Sequence, residues 1–349
     1  MKNREKIGII VGSGTGKELS VVFKRILSVI CKIYNRSVEF LEVEHVFNTY
    51  FHLRELPLNE IRRRTKEDLK ILSNFYTRCQ SENCRVIFRT AINAETLYLF
   101  RRRYQAVKMV IMHKKNHRIL IVRDETQGYY ANDKWTYYPN KEKIHFEGCY
   151  EKENIARILK IAKKEADSKL RSGYKIWVVY KHHLFGNMIE KWVKKIEPQA
   201  LLFQPNSMSQ IFYEDYIKNP GEDLLIIMGN EIGDILHEIF LYSLNVGKRA
   251  NSFNKTIFLS PKLHSLTEYQ TVHGSADQIA GKNLVDPTAT IRIAADIAED
   301  FLKCEGIILT VEKAIENVKQ NFPEGKQFDT LKFTEQVQDF IIKSSGYTL

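Results

Sequence analysis

TVHGSADQIAGKNLVDPTAT, residues 271–290, joins an apolar run ending at Val272 to a helix that opens at Pro287. Between them an irregular loop carries His273, Gly274, Ser275 and Ala276, and a second glycine turn sits at Gly281 and Lys282. Asp286 followed by Pro287 and Thr288 is a helix start signal, an acidic cap ahead of a proline whose missing N–H costs nothing in the first turn. Glycine lets backbone N–H groups approach a ligand closely and an imidazole can stack on a base, so the loop suits the adenosine half of a nucleotide. On composition alone the plainer reading, a surface loop with two ordinary turns, is the stronger one.

The surrounding chain limits the classes open to it. With 349 residues, 44% of them hydrophobic, it can bury a large core and its length predicts one to three domains. No apolar run approaches the roughly 20 residues that span a bilayer, and MKNREKIGIIVGSG has neither a long apolar leader nor a cleavage site, so a cytoplasmic protein without membrane association is expected. Cys31, Cys79, Cys84, Cys149 and Cys304 are an odd, scattered set that suits reduced thiols. The net charge of +11 is spread along helix-like segments, with RRR at 62–64 and 101–103 the tight clusters, which favours an anionic small substrate or a soluble surface over nucleic acid.

IGIIVGSGTGKELSVVFKRIL reads as a buried strand, a glycine turn and an amphipathic helix with Val21, Val22, Ile26, Leu27 and Ile30 on its apolar side. It is no phosphate loop: Val11 stands where the first glycine of GxxxxGK[ST] belongs and Glu18 where its Ser or Thr belongs, and Lys17 breaks GxGxxG. Residues 40–85 are polar and predicted helix-rich, and RVIFRTA from Arg85 a short buried strand. ILIVRDETQG is a strand running into a loop, KWTYYPNKEKIHFEGCY (134–150) a pair of strands, and ENIARILKIAKKEADSKLR a charged helix. KIWVVYKHH is an apolar strand ending on Lys181, where desolvation lowers a lysine pKa toward that of a general base. EDLLIIMGNEIGDILHEIF is a strand, a turn and a helix that carries Asp234 and Glu238 four residues apart, two carboxylates on one face suited to a hard divalent cation. Helices are predicted over 287–301, 311–321 and 333–342.

Six stretches resemble the isocitrate and isopropylmalate dehydrogenase family. HGSADQIAGK with VDPTA is similar to its adenine loop HGSAPDIAGK with ANPTA, and IVGSGTGKE to its opening IPGDGIGPE, with Val11, Ser13 and Lys17 as departures. LYLFRRRYQAVKMVIM resembles LRxxLDLYANVRP, IVRDETQGYYAND resembles IVIRENTEGEYAG, VVYKHH resembles VDKAN, and NEIGDILHE resembles NxFGDILSD. The resemblance implies an α/β, two-domain isopropylmalate dehydrogenase-like fold with a mixed sheet. It places a discontinuous large cofactor-binding domain at 1–94 and 246–349, and a small domain at 95–245 carrying metal and substrate residues and a dimer arm.

The chemistry implied is oxidation of a 3-substituted malate-type 2-hydroxy acid by NAD or NADP with loss of CO2, in a homodimer with shared active sites. Lys181 and Tyr130 fall on the proton-relay lysine and the catalytic tyrosine, Arg101 and Arg123 on carboxylate-binding arginines, and Asp234 and Glu238 on ligands of Mg2+ or Mn2+. His273, Gly274, Ser275, Ala276, Gln278 and Asp286 fall on cofactor contacts. Departures are expected to matter: Ile111 stands for a second arginine, Gln210 for the neighbour's metal aspartate, Glu95 and Leu97 for a serine and an asparagine, and His182 and His183 for Ala-Asn. Asp277 and Gln278 replace Pro-Asp, shifting or losing the acid that accepts ribose hydroxyls and predicting weak discrimination or a lean toward NADP. A non-catalytic descendant that binds a metabolite or partner protein without turnover remains the alternative.

Overall fold

The structure is a computed structural model and describes residues 4–114, 117–128, 136–137, 144–145, 148–180, 186–218, 221–244, 252–272, 274–320 and 329–346. Its elements are, in chain order, β1 (Glu5–Gly12), α1 (Gly16–Ile33), β2 (Val38–Phe47), α2 (Tyr50–Leu53), α3 (Leu58–Ser81), β3 (Val86–Arg89) and α4 (Ala94–Tyr104). Then come β4 (Ala106–Lys114), β5 (His117–Asp124), β6 (Thr136–Tyr137), β7 (Ile144–His145), α5 (Lys152–Lys169), β8 (Lys175–Val179), α6 (Gly186–Ile196), β9 (Leu201–Phe203) and α7 (Pro205–Ile211). After a π-helical turn follow β10 (Leu224–Gly229), α8 (Asn230–Leu244), β11 (Phe253–Phe258), β12 (Thr267–Thr271), α9 (Thr288–Asp300), α10 (Ile307–Gln320) and α11 (Thr330–Ser345).

The fold is α/β, with a mixed ten-stranded sheet ordered β2-β1-β3-β12-β11-β4-β5-β10-β8-β9. The chain makes two compact units, one of residues 1–97, 250–255 and 265–349, the other of residues 98–249 and 256–264. In the first, β1 pairs in parallel with both β2 and β3, and β12 pairs in parallel with β3. Strands covered on both faces read as unbroken apolar runs, which is why Ile7, Ile9 and Ile10 of β1 are all buried. Helix α1 turns Leu19, Val22, Phe23, Ile26, Leu27 and Ile30 inward, and all but Leu19 pack with α9, α10 and α11 in one core around Phe88 and Tyr269. Val21, expected on that face, is instead more than half exposed, because the buried stripe follows 19, 22, 23 and 26.

Residues 40–85 are less helical than expected at their start, where β2 lines the edge. Exposed Glu42, Glu44 and Val46 alternate with the more buried Leu41, Val43, His45 and Phe47 at period two, the strand's periodicity rather than the helix's. In the second unit β4 and β5 are antiparallel, while β5, β10, β8 and β9 run parallel. Within 134–150, β6 and β7 pair antiparallel, Thr136 with His145 and Tyr137 with Ile144. All five cysteines are unbridged, Cys149 alone being exposed. No helix of the described residues is long and apolar enough to cross a membrane.

Candidate active site

In the first unit the glycine turn after β1 is pressed against its neighbours. A Cβ on Gly12 would stand 1.8 Å from the Ala91 carbonyl oxygen, and one on Gly14, at φ +79°, 2.5 Å from that of Ser275. The Ser275 carbonyl accepts both the N–H and the hydroxyl of Thr15, each at 3.0 Å. These glycines therefore allow one backbone to lie on another, and the N–H at 15 is already used, so the turn is no phosphate cradle.

The 271–290 loop is built onto that turn. Glu18, at the start of α1, accepts from the N–H of Gly281 at 3.1 Å and of Asn283 at 2.9 Å. Ala276 takes a left-handed conformation at φ 48°, rare for a residue with a Cβ, before the short helical turn Asp277–Ile279. Asp277 Oδ1 accepts the Thr49 hydroxyl at 3.0 Å and lies 3.1 Å from His52 Nδ1, which is also 3.0 Å from the Ser13 hydroxyl; Oδ2 accepts the Ser275 hydroxyl. The loop's carboxylate is thus turned into the protein at 277, whereas Gly274 and Gln278 are exposed. Asp286 Oδ1 accepts the Thr288 N–H at 2.8 Å, a turn leading into α9 in which Pro287 holds the cap position and Thr288 the first helical one, a residue later than the sequence predicts. His273 lies outside the described residues.

In the second unit the polar groups gather where β5 and β10 end, the carboxyl ends of parallel strands, where open α/β sheets hold ligands. Arg123, the penultimate residue of β5, is paired through its Nη1 with Asp234 of α8. Opposite Arg123 on the antiparallel strand stands Lys108, whose Nζ is 2.6 Å from Glu125 Oε1. Glu125 in turn takes Arg101, with Nε 3.0 Å from Oε2 and Nη1 3.3 Å from Oε1. Arg101, Lys108, Arg123 and Glu125 are all buried, and a Cβ on Gly233 would stand 2.5 Å from Arg123 Cδ.

Burial, and next the charge of Arg101, pull the Lys108 ammonium down to about 7 against the opposing pull of Glu125. A lysine whose folded pKa lies below its unfolded value makes the native state bind fewer protons between the two. Its contribution to stability therefore rises with pH from about 7 to about 10.5. Lys108→Met is expected to flatten that rise in urea unfolding followed across the window, and an unchanged slope would refute the assignment.

Beside this cluster Asp124, almost wholly buried, accepts from Thr126 N–H at 2.8 Å, Thr126 Oγ1 and Gln127 Nε2 at 2.7 Å each, and the Tyr180 hydroxyl at 3.1 Å. Burial nevertheless raises its carboxyl, and raises those of Glu231 and the Tyr150 and Tyr180 hydroxyls as well. Glu231 Oε1 lies 3.5 Å from where a Gly128 Cβ would be, which places these acids on one side of the loop after β5.

Of the residues predicted from sequence, Arg123 and Asp234 are in direct contact, and Arg101 stands in the same cluster through Glu125. Glu238 lies four residues along α8, half-buried, and Gln210 is exposed on α7. Lys181 and Tyr130, with His182 and His183, lie outside the described residues. Among the described residues no group of three metal-binding side chains is assembled. Ile111 is not where the missing arginine would act: it packs on the second unit's apolar core, three residues beyond Lys108 on β4.

The sequence pattern of the isocitrate/isopropylmalate dehydrogenase family matches residues 6–340. The chain belongs to this family. It is 30% identical over 204 residues to a 3-isopropylmalate dehydrogenase of Chlorobium chlorochromatii (strain CaD3), and 26% over 251 residues to one of Heyndrickxia coagulans. Those matches cover 56% and 66% of this chain and 53% and 64% of the relatives, so the chain spans between half and two thirds of the length of these curated relatives. The crystal structure of isocitrate dehydrogenase from Methylococcus capsulatus superposes with a TM-score of 0.67 at 16% identity, covering 97% of this chain and 99% of the other, which shows the shared fold.

With the family in hand, the overlooked residues have a signal. The motif LRxxLDLYANVRP ends in a tyrosine followed four residues later by arginine; here Tyr104 is followed four residues later by Lys108. Aligning on the three arginines 101–103 misses this by three residues, and the register that brings Lys108 onto the second arginine puts Tyr98, not Arg101, on the first. Glu125 stands on the asparagine of RENTEG, a substitution visible in the sequence whose effect depends on what faces it.

Proposed function

We propose that this chain is a nicotinamide-dependent oxidoreductase of 2-hydroxy acids, releasing CO2 where the substrate carries a 3-carboxylate, as in 3-substituted malates. The observation that carries the reading is the buried Arg101, Lys108 and Arg123 group at the end of β5, with Asp234 in contact: cations placed to hold an organic acid, beside a carboxylate suited to a metal. Asp234 and Glu238 would hold Mg2+ or Mn2+, which is commonly bound through one or two carboxylates with substrate and water completing the shell. When bound, such an ion polarises the C2 oxygen. Lys181 would take the hydroxyl proton and Tyr130 would protonate the enol, with Arg123 orienting the acid.

The first unit would bind the cofactor through the backbone around Gly274, Ser275 and Ala276, with His273 on the adenine. Asp277 has both oxygens engaged by the protein and Gln278 is a weaker acceptor for two ribose hydroxyls, so little discrimination or a lean to NADP follows. We further propose a homodimer with shared active sites. Ile235, Ile239 and Tyr242 form an exposed apolar stripe on α8, beside the acids, that a second copy would cover.

Calorimetry with NAD+ and NADP+ in the presence of Mn2+ tests the cofactor reading, and sedimentation the dimer. The expected result is binding of both nucleotides within about tenfold and a two-chain mass. Tight NAD+ binding with no NADP+ binding would remove the lean, and a monomer at micromolar concentration would remove the shared site. The alternative, a member that binds without turnover, draws support from the internal pairing of every cation in the cluster. It predicts nucleotide or acid binding with no NAD(P)H formed from any hydroxy acid.

A further inference from the structure

Glu125 is held the way a bound carboxylate would be. One oxygen meets the Lys108 ammonium at 2.6 Å and Arg101 Nη1 at 3.3 Å, the other meets Arg101 Nε at 3.0 Å, and all three side chains are more than nine-tenths buried. A guanidinium and an ammonium converging on one planar carboxylate is the arrangement with which proteins grip organic acids. Here the acid belongs to the chain itself. A ligand carboxylate entering between Arg101 and Lys108 would leave Glu125 buried without its partners, which is the costly outcome for an ion out of water.

Arg101 and Lys108 are thus both turned to Glu125. Arg123 holds Asp234, which lies half-exposed and can be drawn off by a cation, so Arg123 is the position at which one external carboxylate can be received. Ile111 adds no further cation, since it faces the apolar core.

We propose, on the basis of the hydroxy-acid reading above, that Glu125 is a built-in carboxylate occupying the place of one of the substrate's own, and that it restricts this site to hydroxy acids bearing a single carboxylate. The reaction then stops at the keto acid. A bound nicotinamide cofactor would supply the acceptor for the carbinol hydride, and Lys181 would take the hydroxyl proton and pass it to solvent as the C=O forms. No CO2 is released, because no carboxylate lies β to the new carbonyl. Glu125 is on this account a specificity residue that acts by excluding the second carboxylate.

The test compares two acids that differ by one carboxylate, 3-isopropylmalate and 2-hydroxy-4-methylpentanoate. Each is titrated by calorimetry into the full chain and its Glu125→Gln variant with Mn2+ and NAD+ or NADP+ present, and NAD(P)H formation is followed separately by absorbance. The wild-type chain is expected to bind the monocarboxylate at least about tenfold more tightly, and Glu125→Gln to shift the ratio toward the dicarboxylate by at least about tenfold. A wild-type preference for 3-isopropylmalate overturns the proposal whether or not the variant folds, as does an unchanged ratio in a folded variant. The two readings separate cleanly. The predicted preference without NAD(P)H formation keeps the role of Glu125 and removes the dehydrogenase. Turnover of the dicarboxylate with release of CO2 keeps the dehydrogenase and removes the role of Glu125. Failure of either protein to bind either acid removes both.

Discussion

Arg89→Met is expected to destabilise the chain by about 3–5 kcal/mol, as breaking a buried ion pair from one side does. Arg89 lies in β3, between β1 and β12, with 1% of its surface exposed, and its Nη2 is 3.0 Å from Glu268 Oε1. Nη1 donates to the Thr90 carbonyl at 2.9 Å, and the Tyr76 hydroxyl donates to the other Glu268 oxygen. Methionine fills much of the volume but takes the guanidinium away from Glu268, which is 2% exposed and still receives the Tyr76 hydroxyl. The large effect therefore comes from the stranded carboxylate rather than from a lost attraction. Arg89→Met combined with Glu268→Leu is expected to recover most of the loss, because removing both charges removes the burial penalty with them. Urea unfolding of the two single variants and the double variant closes the cycle, and strictly additive losses would contradict the account.

Gly233→Ala is expected to cost about 1–3 kcal/mol through overpacking and to weaken acid binding, although Ala is the better helix former by about 1 kcal/mol. The added Cβ would stand 2.5 Å from Cδ and 2.6 Å from Cγ of Arg123, so the arginine has to move away from Asp234, the next residue along α8. Gly221→Ala is the control, since a Cβ there meets nothing within 4 Å. Thermal unfolding and titration with the preferred hydroxy acid read the two consequences separately. Wild-type acid affinity in a folded Gly233→Ala chain would show that the position of Arg123 does not govern binding.

The α/β class was legible because apolar runs such as those of β1 and β10 are long enough to be strands covered on both faces, and each of these two ends at a glycine and is followed by a helix. The start of α9 was legible to within one residue, because the Asp286 carboxylate acts within two residues of its own position. Arg123 and Asp234 were legible as a pair through motif resemblance, one at the end of a strand and the other on the helix after its neighbour. Local patterning was misleading at β2, where a polar stretch expected to be helix-rich begins as an edge strand with Glu42, Glu44 and Val46 on its exposed side.

What the sequence alone determined is therefore what neighbours in the chain decide: the strands, the caps, the glycine turn and the identity of each acid and base. What only the tertiary structure decided is which charge meets which. Lys108 faces Arg123 because of the antiparallel register of β4 and β5, and Glu125 takes Arg101 and Lys108 because α4 and β4 bring them from 24 and 17 residues away. In the loop, the sequence showed an acid moved from 278 to 277, but its capture depends on Thr49 and His52, more than 200 residues earlier. Secondary structure follows from short-range propensity and periodicity, whereas the charge state and partner of a buried group depend on everything folded around it.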